Sequence, residues 1–303
     1  MARDPLLLVH LPKTAGTTLA QLMRYHYSGG AFMGAGNVLS RLDEAEPRLQ
    51  AIGRKPAVRA AAGHVSFGLA QQVLPDATFV TILREPVART LSQYYFLTEF
   101  GRGGGLVPPG LDEDARGLDL GDAFDRGYLL DNLQTRMLCG AVSPYGDLPA
   151  DALERAKANL RDRFAYVGTT ERFDELLAVL DLALGWPTTA YEPARENPHR
   201  PAEVPDELRG LAAERNALDR ELHAFADELL DEALAAAGPA AEEEAAVIAQ
   251  ATARWNEARE ASEPVRSLPP AGRVDLALEE AKLVRAAFEE RNRRAKVKRR
   301  RKP

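Results

Sequence analysis

The stretch LLLVHLPKTAGTT, residues 6–18, decides the fold class of this chain. Its four apolar residues, 6–9, predict a buried strand, and a helix is expected to begin near Thr17. A lysine, a glycine and further threonines lie around the junction. Gly16 allows a close approach of the backbone to a ligand, and the free N–H groups of a helix N-terminus attract an anion. The stretch therefore predicts a strand, an anion-binding loop and a helix.

The Walker A loop of nucleotide triphosphatases is the first comparison, and the order of residues here differs from it. In that loop a glycine is followed directly by lysine and then by serine or threonine. In this chain Lys13 precedes Gly16, and no nearby aspartate at a strand end offers a magnesium ligand. A metal-dependent nucleotide triphosphatase is therefore the weaker interpretation. A nucleotide-dependent phosphotransferase is kept as the alternative function.

A second β-rich run, residues 78–83, leads into Arg84 and a helical stretch that opens with Pro86. Proline suits the first turn of a helix. Arg84 follows the carboxyl end of the predicted strand, where open α/β sheets bind ligands, and Ser92 lies two turns into the helix. We therefore expect Arg84 and Ser92 to reach one phosphate group. The alternative interpretation makes Arg84 and Arg89 ordinary helix-entry charges, paired with Glu85 or solvated, and Arg84 is favoured over Arg89 as the ligand because it stands at the strand end.

The segment AGHVSFG, residues 62–68, lies between these two phosphate motifs and contains His64. A neutral imidazole accepts a proton near neutral pH, as a general base must, but for His64 taken alone a structural histidine is the favoured interpretation. His10 at the end of the first strand is predicted to be structural. The other histidines and the single cysteine, Cys139, lack the spacing of metal ligands, so no metal site is predicted.

Together these motifs resemble those of sulfotransferases that use 3′-phosphoadenosine 5′-phosphosulfate (PAPS), in the branch of heparan and other carbohydrate sulfotransferases. The order PKTAGTT at residues 12–18 resembles the family's 5′-phosphosulfate loop. Arg84 and Ser92 match its 3′-phosphate ligands. Gly-His-Val around His64 resembles the segment that carries the catalytic base in the heparan 2-O-sulfotransferase group. The resemblance runs from about residue 5 to about residue 235.

The resemblance implies transfer of a sulfuryl group from PAPS to a hydroxyl acceptor, expected to be a glycan, with adenosine 3′,5′-bisphosphate (PAP) as the product and no metal. His64 is implied as the base that removes the hydroxyl proton, and Lys13 as the residue that stabilises the departing oxygen. The implied donor-binding residues are Lys13, Thr14, Ala15, Gly16, Thr17, Thr18, Arg84 and Ser92.

The 303 residues are 45% hydrophobic, which is enough for a sizeable core. Strand-like runs alternate with helical ones, and this predicts a P-loop-like α/β fold of three layers, with a central, mainly parallel sheet and flanking helices. We expect a catalytic domain over residues 1–238 and a helical extension over 239–303. Residues 28–56 are predicted to be an irregular or short-helical insertion, and residues 205–237 one helix.

Charge is distributed unevenly along the chain. Nine of the 39 basic residues stand in the last thirteen positions, residues 291–303, which leaves 30 basic against 45 acidic residues in the remainder. Such a tail is typical of segments that bind an anionic membrane surface, a polyanion or an acidic partner. A solvated tail is the alternative interpretation. A non-catalytic scaffold that recruits a polyanion through this tail is the third function considered.

The few residues before the first strand leave no room for a signal peptide, and no apolar run approaches the ~18 residues of a membrane span. A lone cysteine fits a reducing compartment. We therefore expect a cytoplasmic enzyme of bacterial type. The loop at residues 101–120 is rich in glycine and proline and is predicted to be a lid or an acceptor-binding loop, with an ordinary insertion as the alternative.

Overall fold

A computed structural model describes residues 4–39, 42–99, 117–187, 190–191 and 203–261 of the protein. Within these residues, five strands form one parallel sheet in the order β2-β3-β1-β4-β5. The strands are β1 (Leu6–Val9), β2 (Phe32–Asn37), β3 (Ala60–His64), β4 (Thr78–Leu83) and β5 (Phe164–Thr169). The predicted α/β fold with a mainly parallel sheet is thereby confirmed.

Helices connect and cover these strands. They are α1 (Gly16–His26), α2 (Leu42–Gly53), α3 (Phe67–Val73), α4 (Pro86–Glu99), α5 (Leu120–Asp125), α6 (Leu133–Leu138), α7 (Ala152–Arg163), α8 (Phe173–Leu184), α9 (Asp206–Arg215), α10 (Ala217–Ala237) and α11 (Pro239–Ala261). The helix predicted to begin near Thr17 begins at Gly16.

The central strand β1 shows why the fold has three layers. Successive side chains of a strand point to opposite faces of the sheet. Leu7 and Val9 therefore enter one core cluster, which α2, α3, α6 and α7 complete. Leu6 and Leu8 enter the other, together with residues of α1, α8 and α11. An apolar run without alternation is what a strand buried on both faces requires.

The interpretation of residues 28–56 as an irregular or short-helical insertion was wrong in part. The structure has a full strand there, β2, and a helix of 12 residues, α2. The sequence of β2 is FMGAGN, which lacks the β-branched residues that mark strands. Pairing with β3 makes it a strand, since Phe32 pairs with Ala60 and Asn37 with His64.

The C-terminal helix α11 packs against α8, and Ile248 is wholly buried in the second core cluster. The domain boundary at residue 238 stays a prediction. Residues 101–116 of the predicted lid and the basic tail at 291–303 lie outside the described residues. In the part of the chain that is described, no helix is both long enough and apolar enough to cross a membrane.

Asp181 on α8 is a carboxyl side chain buried in the packing between α8 and α11. It is 3% exposed, and neither carboxylate oxygen has a hydrogen-bond partner among the described residues. Burial, and then the charge of Glu244 on α11, raise the pKa of Asp181 to about 8. A buried carboxyl group with these surroundings retains its proton at neutral pH.

An Asp181→Asn variant is expected to be more stable than the wild type in mildly alkaline solution. The raised pKa means that the folded protein holds a proton that the unfolded chain releases above pH 3.8, so the stability conferred by protonated Asp181 is lost as the pH rises toward about 8. We expect a gain of about 1–3 kcal/mol for the variant near the alkaline end, shrinking toward about pH 5. Urea unfolding across this range measures it.

The exposed Asp162 on α7 offers the matched control, Asp162→Asn. Wild type and control should lose stability in parallel as the pH rises. An Asp181→Asn protein with the same pH dependence as the wild type would show that Asp181 does not hold a proton in the folded state.

Candidate active site

The loop between β1 and α1 has an unusual backbone. Lys13 and Ala15 adopt left-handed conformations with φ of 67° and 61°. Backbone of this kind turns N–H groups toward a common concavity that suits anions. No side chain caps α1, whose N-cap residue is Ala15. The N–H of Thr18 donates to the Ala15 carbonyl at 2.9 Å, whereas the N–H groups of Gly16 and Thr17 have no acceptor within the helix. The loop therefore presents donors to a ligand, as the sequence predicts.

The three threonines of the loop have different surroundings. Thr14 is wholly buried, and its hydroxyl donates to the Leu11 carbonyl at 2.9 Å, which holds the loop closed on itself. Thr17 is exposed, whereas Thr18 is buried against the core. No threonine hydroxyl caps α1, because the left-handed Ala15 occupies the cap position.

Gly16 lies against the ring of His10. A Cβ atom at Gly16 would stand 2.1 Å from Cδ2 of His10, closer than any two unbonded carbon atoms approach. Its φ does not lie in the left-handed region, so contact with the imidazole rather than a special backbone angle requires glycine here. The first residue of α1 and the last residues before the loop are thereby packed together.

His64 ends β3 beside this loop. Its Nδ1 lies 2.7 Å from the His10 carbonyl, and the two imidazole rings are 4.1 Å apart. A carbonyl oxygen only accepts, so Nδ1 donates and the neutral ring carries its lone pair on Nε2. Burial lowers the pKa of His64, and nearby Lys13 lowers it further, against the opposite effect of the His10 carbonyl. His64 is therefore a neutral imidazole able to accept a proton.

Arg84 and Lys13 meet at the carboxyl ends of β4 and β1. Nη1 of Arg84 donates to the Lys13 carbonyl at 3.1 Å, and the Lys13 ammonium lies 4.5 Å from the centroid of the Phe96 ring on α4. Burial and then Arg84 lower the pKa of Lys13. Ser92 precedes Phe96 by one turn, so both residues lie on the same face of α4. Two cations held this close favour a bound anion.

Arg89 differs from Arg84 in its access to solvent. Its side chain is wholly buried and donates to Gln93 and Thr90 of the same helix. Burial is the main reason why the pKa of Arg89 falls to about 10. Arg84 is only half-buried. Arg89 therefore belongs to the interior, and Arg84 is the arginine that faces the loop.

The chain is similar in sequence to known sulfotransferases, although no protein-family model matches it. Heparan sulfate 2-O-sulfotransferase hst-2 of Caenorhabditis elegans is 29% identical over 133 residues, covering 40% of this chain and 39% of that protein. Heparan sulfate 2-O-sulfotransferase 1 of Gallus gallus is 30% identical over 138 residues, covering 40% and 36%. The sequence resemblance to sulfotransferases is confirmed.

The chain matches under two fifths of the length of these two sulfotransferases. The solved structure of mouse sulfotransferase SULT7A1 complexed with PAP overlaps 70% of this chain and 63% of that chain, at 13% identity and a TM-score of 0.35.

Gln134 is the main residue of this sulfotransferase-like site that sequence reasoning missed. Its side-chain amide accepts from the backbone N–H of Arg84 and donates to the Arg84 carbonyl, both at 2.9 Å. Asp219 on α10 in turn accepts from the N–H groups of Gln134 and Thr135 at 3.0 and 2.7 Å. The chain from Asp219 through Gln134 therefore fixes the backbone that carries the Arg84 guanidinium.

The junction between α9 and α10 corrects another prediction. One helix was expected over residues 205–237, but the helix breaks at Asn216. The Asn216 amide is buried, and its oxygen accepts from the N–H of Asn132 at 3.1 Å. The Asn132 side chain accepts from the N–H of Leu218 at 2.9 Å and caps α10 in return. These reciprocal hydrogen bonds fix the start of α6 against the start of α10. The signal in the sequence was the polar cluster at residues 131–135.

Proposed function

We propose that this protein transfers a sulfuryl group from PAPS to a hydroxyl group of a carbohydrate. The observation that carries the proposal is the position of His64, with its lone pair on Nε2, beside Lys13 and Arg84 at the ends of adjacent strands. Both relatives are named heparan sulfate 2-O-sulfotransferases, and this supports a glycan as the acceptor.

The residues of the loop fit the donor. The 5′-phosphosulfate carries more than one negative charge, and the uncapped N-terminus of α1 and the loop N–H groups of residues 14–17 suit such a group. The N–H of Thr18, which the sequence also assigned to the donor, instead donates to the Ala15 carbonyl at 2.9 Å. Lys13 adds a full positive charge. Arg84 and Ser92, at the end of β4 and on α4, are assigned to the 3′-phosphate. Burial and then Arg84 lower the pKa of Lys13, so an anion bound between the two cations would stabilise the charged form of Lys13.

The chemistry requires one proton transfer and one exchange of bonds at sulfur. PAPS supplies a sulfonate joined to a phosphate oxygen that departs as part of PAP. His64 takes the acceptor hydroxyl proton on Nε2 while the acceptor oxygen bonds to sulfur and the bond from sulfur to the phosphate oxygen breaks. The Lys13 ammonium offsets the negative charge that collects on the departing oxygen.

A comparison of ligands separates this proposal from a nucleotide-dependent phosphotransferase. Calorimetry should show PAP binding without added metal and more tightly than ATP with magnesium. Labelled sulfonate should then pass from PAPS to heparan sulfate stripped of its 2-O-sulfate, or to another glycan in a panel. Tighter binding of ATP with magnesium, and phosphate transfer from it, would overturn the proposal.

Two expectations from the sequence stay predictions. They are the cytoplasmic location of the enzyme and the binding of an anionic surface by the basic tail at residues 291–303.

A further inference from the structure

The strand order leaves one side of the site for the acceptor, and this inference rests on the proposed function. The donor-binding residues belong to β1, its loop and β4, whereas His64 ends β3. In the order β2-β3-β1-β4-β5, β3 separates β2 from the donor side. An acceptor that gives its proton to His64 and meets the donor over β1 therefore approaches from the side of β2.

A loop after α6, residues 140–146, lies across the ends of β2 and β3 on that side. Ser66, two residues after His64, donates through its hydroxyl to the Val142 carbonyl. The Tyr145 hydroxyl donates to the Leu39 carbonyl at 2.7 Å. Leu39 follows Val38, whose N–H donates to the His64 carbonyl at 2.7 Å. One anchor, Ser66, is thus two residues after His64. The other, Leu39, is next to Val38, which is hydrogen-bonded to His64.

Contacts with α6 and α3 also fix this loop in position. The Arg136 guanidinium is nearly buried, donates to the Gly146 carbonyl at 2.6 Å and pairs with Asp131 at 2.9 Å. Gly68 on α3 packs so closely that a Cβ there would stand 2.2 Å from the Gly140 carbonyl oxygen. A loop fixed at so many points loses little conformational entropy when it binds a ligand.

Despite these anchors, two apolar side chains of the loop face solvent. Val142 is 44% and Tyr145 48% exposed, and they are two of the four large hydrophobic residues that are exposed in the described part of the chain. The Tyr145 ring cannot turn inward, because its hydroxyl is bonded to Leu39. An exposed aromatic ring in a fixed position, attached through Leu39 and Val38 to the end of β3, is a typical ligand contact.

We propose that Tyr145 and Val142 form the acceptor subsite and bind the apolar face of a pyranose ring, which places a ring hydroxyl at His64. The face of a sugar that carries its C–H groups is apolar and flat, and it matches a tyrosine ring in size. The loop contains neither lysine nor arginine, so this contact recognises the ring rather than a sulfate or carboxylate. The subsite therefore accepts a neutral or a charged sugar alike.

The test measures binding of a 2-O-desulfated heparan sulfate oligosaccharide to the protein loaded with PAP, and transfer to it from PAPS. Tyr145→Ala should weaken oligosaccharide binding and raise the acceptor KM about tenfold, with unchanged Kd for PAP. Tyr145→Phe keeps the ring and should stay within about threefold of the wild type. Leu182→Ala removes an apolar side chain of similar exposure, 45%, from α8 and should change neither quantity.

Each outcome bears on the subsite. Unchanged oligosaccharide binding by a folded Tyr145→Ala protein overturns the subsite and leaves the proposed function standing. Oligosaccharide binding that depends on Tyr145 without sulfonate transfer supports the subsite and contradicts the function. A wild-type protein that binds none of the oligosaccharide overturns the subsite.

Discussion

A His64→Asn variant is expected to turn over about 10²–10⁴ times more slowly than the wild type, with the Kd of PAP changed less than about twofold. Asparagine places its side-chain N–H near the position of Nδ1, so the bond to the His10 carbonyl can be kept. It has no atom that takes a proton in place of Nε2. The variant therefore removes the base and retains the contact that joins β3 to the loop.

The pH dependence of kcat/KM, which reports the pKa values of the free enzyme, gives this prediction a second measurement. Because burial and Lys13 lower the pKa of His64, the acidic fall in kcat/KM of the wild type should lie below the ordinary histidine pKa of 6.5. That fall should be absent from the residual activity of His64→Asn. His26→Asn, which changes a half-buried histidine stacked on Trp186, serves as the control. Near-normal turnover by His64→Asn removes His64 as the base.

Arg84→Ala is expected to weaken PAP binding about 10–100-fold, because one charge-assisted contact to a phosphate is lost. Its guanidinium also donates to the Lys13 carbonyl, so the loop loses a support at the same time. Calorimetry with PAP measures the effect directly. Arg59→Ala is the matched control, since Arg59 is exposed and precedes the amino end of β3, whereas the site lies at the carboxyl ends of the strands.

Gln134→Leu extends the same prediction into the interior. Leucine keeps the approximate volume but cannot bond the Arg84 backbone on both sides, so PAP binding should weaken although residue 134 touches no ligand. Because Gln134 acts through Arg84, the double variant should bind PAP about as weakly as Arg84→Ala alone. Additive losses would mean that Gln134 acts by another route. Unchanged binding by Arg84→Ala would place the 3′-phosphate elsewhere.

The success of sequence reasoning at the loop has a local cause. Strand, loop and helix are neighbours along the chain, so the residue types at 6–18 carry their own explanation. The same holds for β4 and the helix that Pro86 opens. At β2 this reasoning failed, because FMGAGN has two glycines and no β-branched residue, so its strand propensity is low and its pairing with β3 makes it a strand.

Two residues of the predicted loop show a second limit of prediction from sequence. Glycine at position 16 is explained in the sequence by close approach of the backbone to a ligand, and the structure adds a second reason, since the His10 ring fills the space that a side chain there would need. Thr14 is among the implied donor-binding residues, and the structure shows that its hydroxyl donates to the Leu11 carbonyl. At both positions the sequence places the residue in the correct segment. The three-dimensional path of the loop decides which atoms the residue contacts.

Local sequence was thus sufficient for the strand–loop–helix unit and for Lys13 and Arg84 at strand ends, whereas His64 became a candidate base only through the resemblance of its segment to a known family. Three-dimensional packing alone decided which groups support them. Gln134 and Arg84 are 50 residues apart, Asp219 and Thr135 are 84 apart, and Tyr145 and Leu39 are 106 apart. Such contacts leave no periodic trace along the chain, because they depend on how helices and loops pack around the sheet after it has formed.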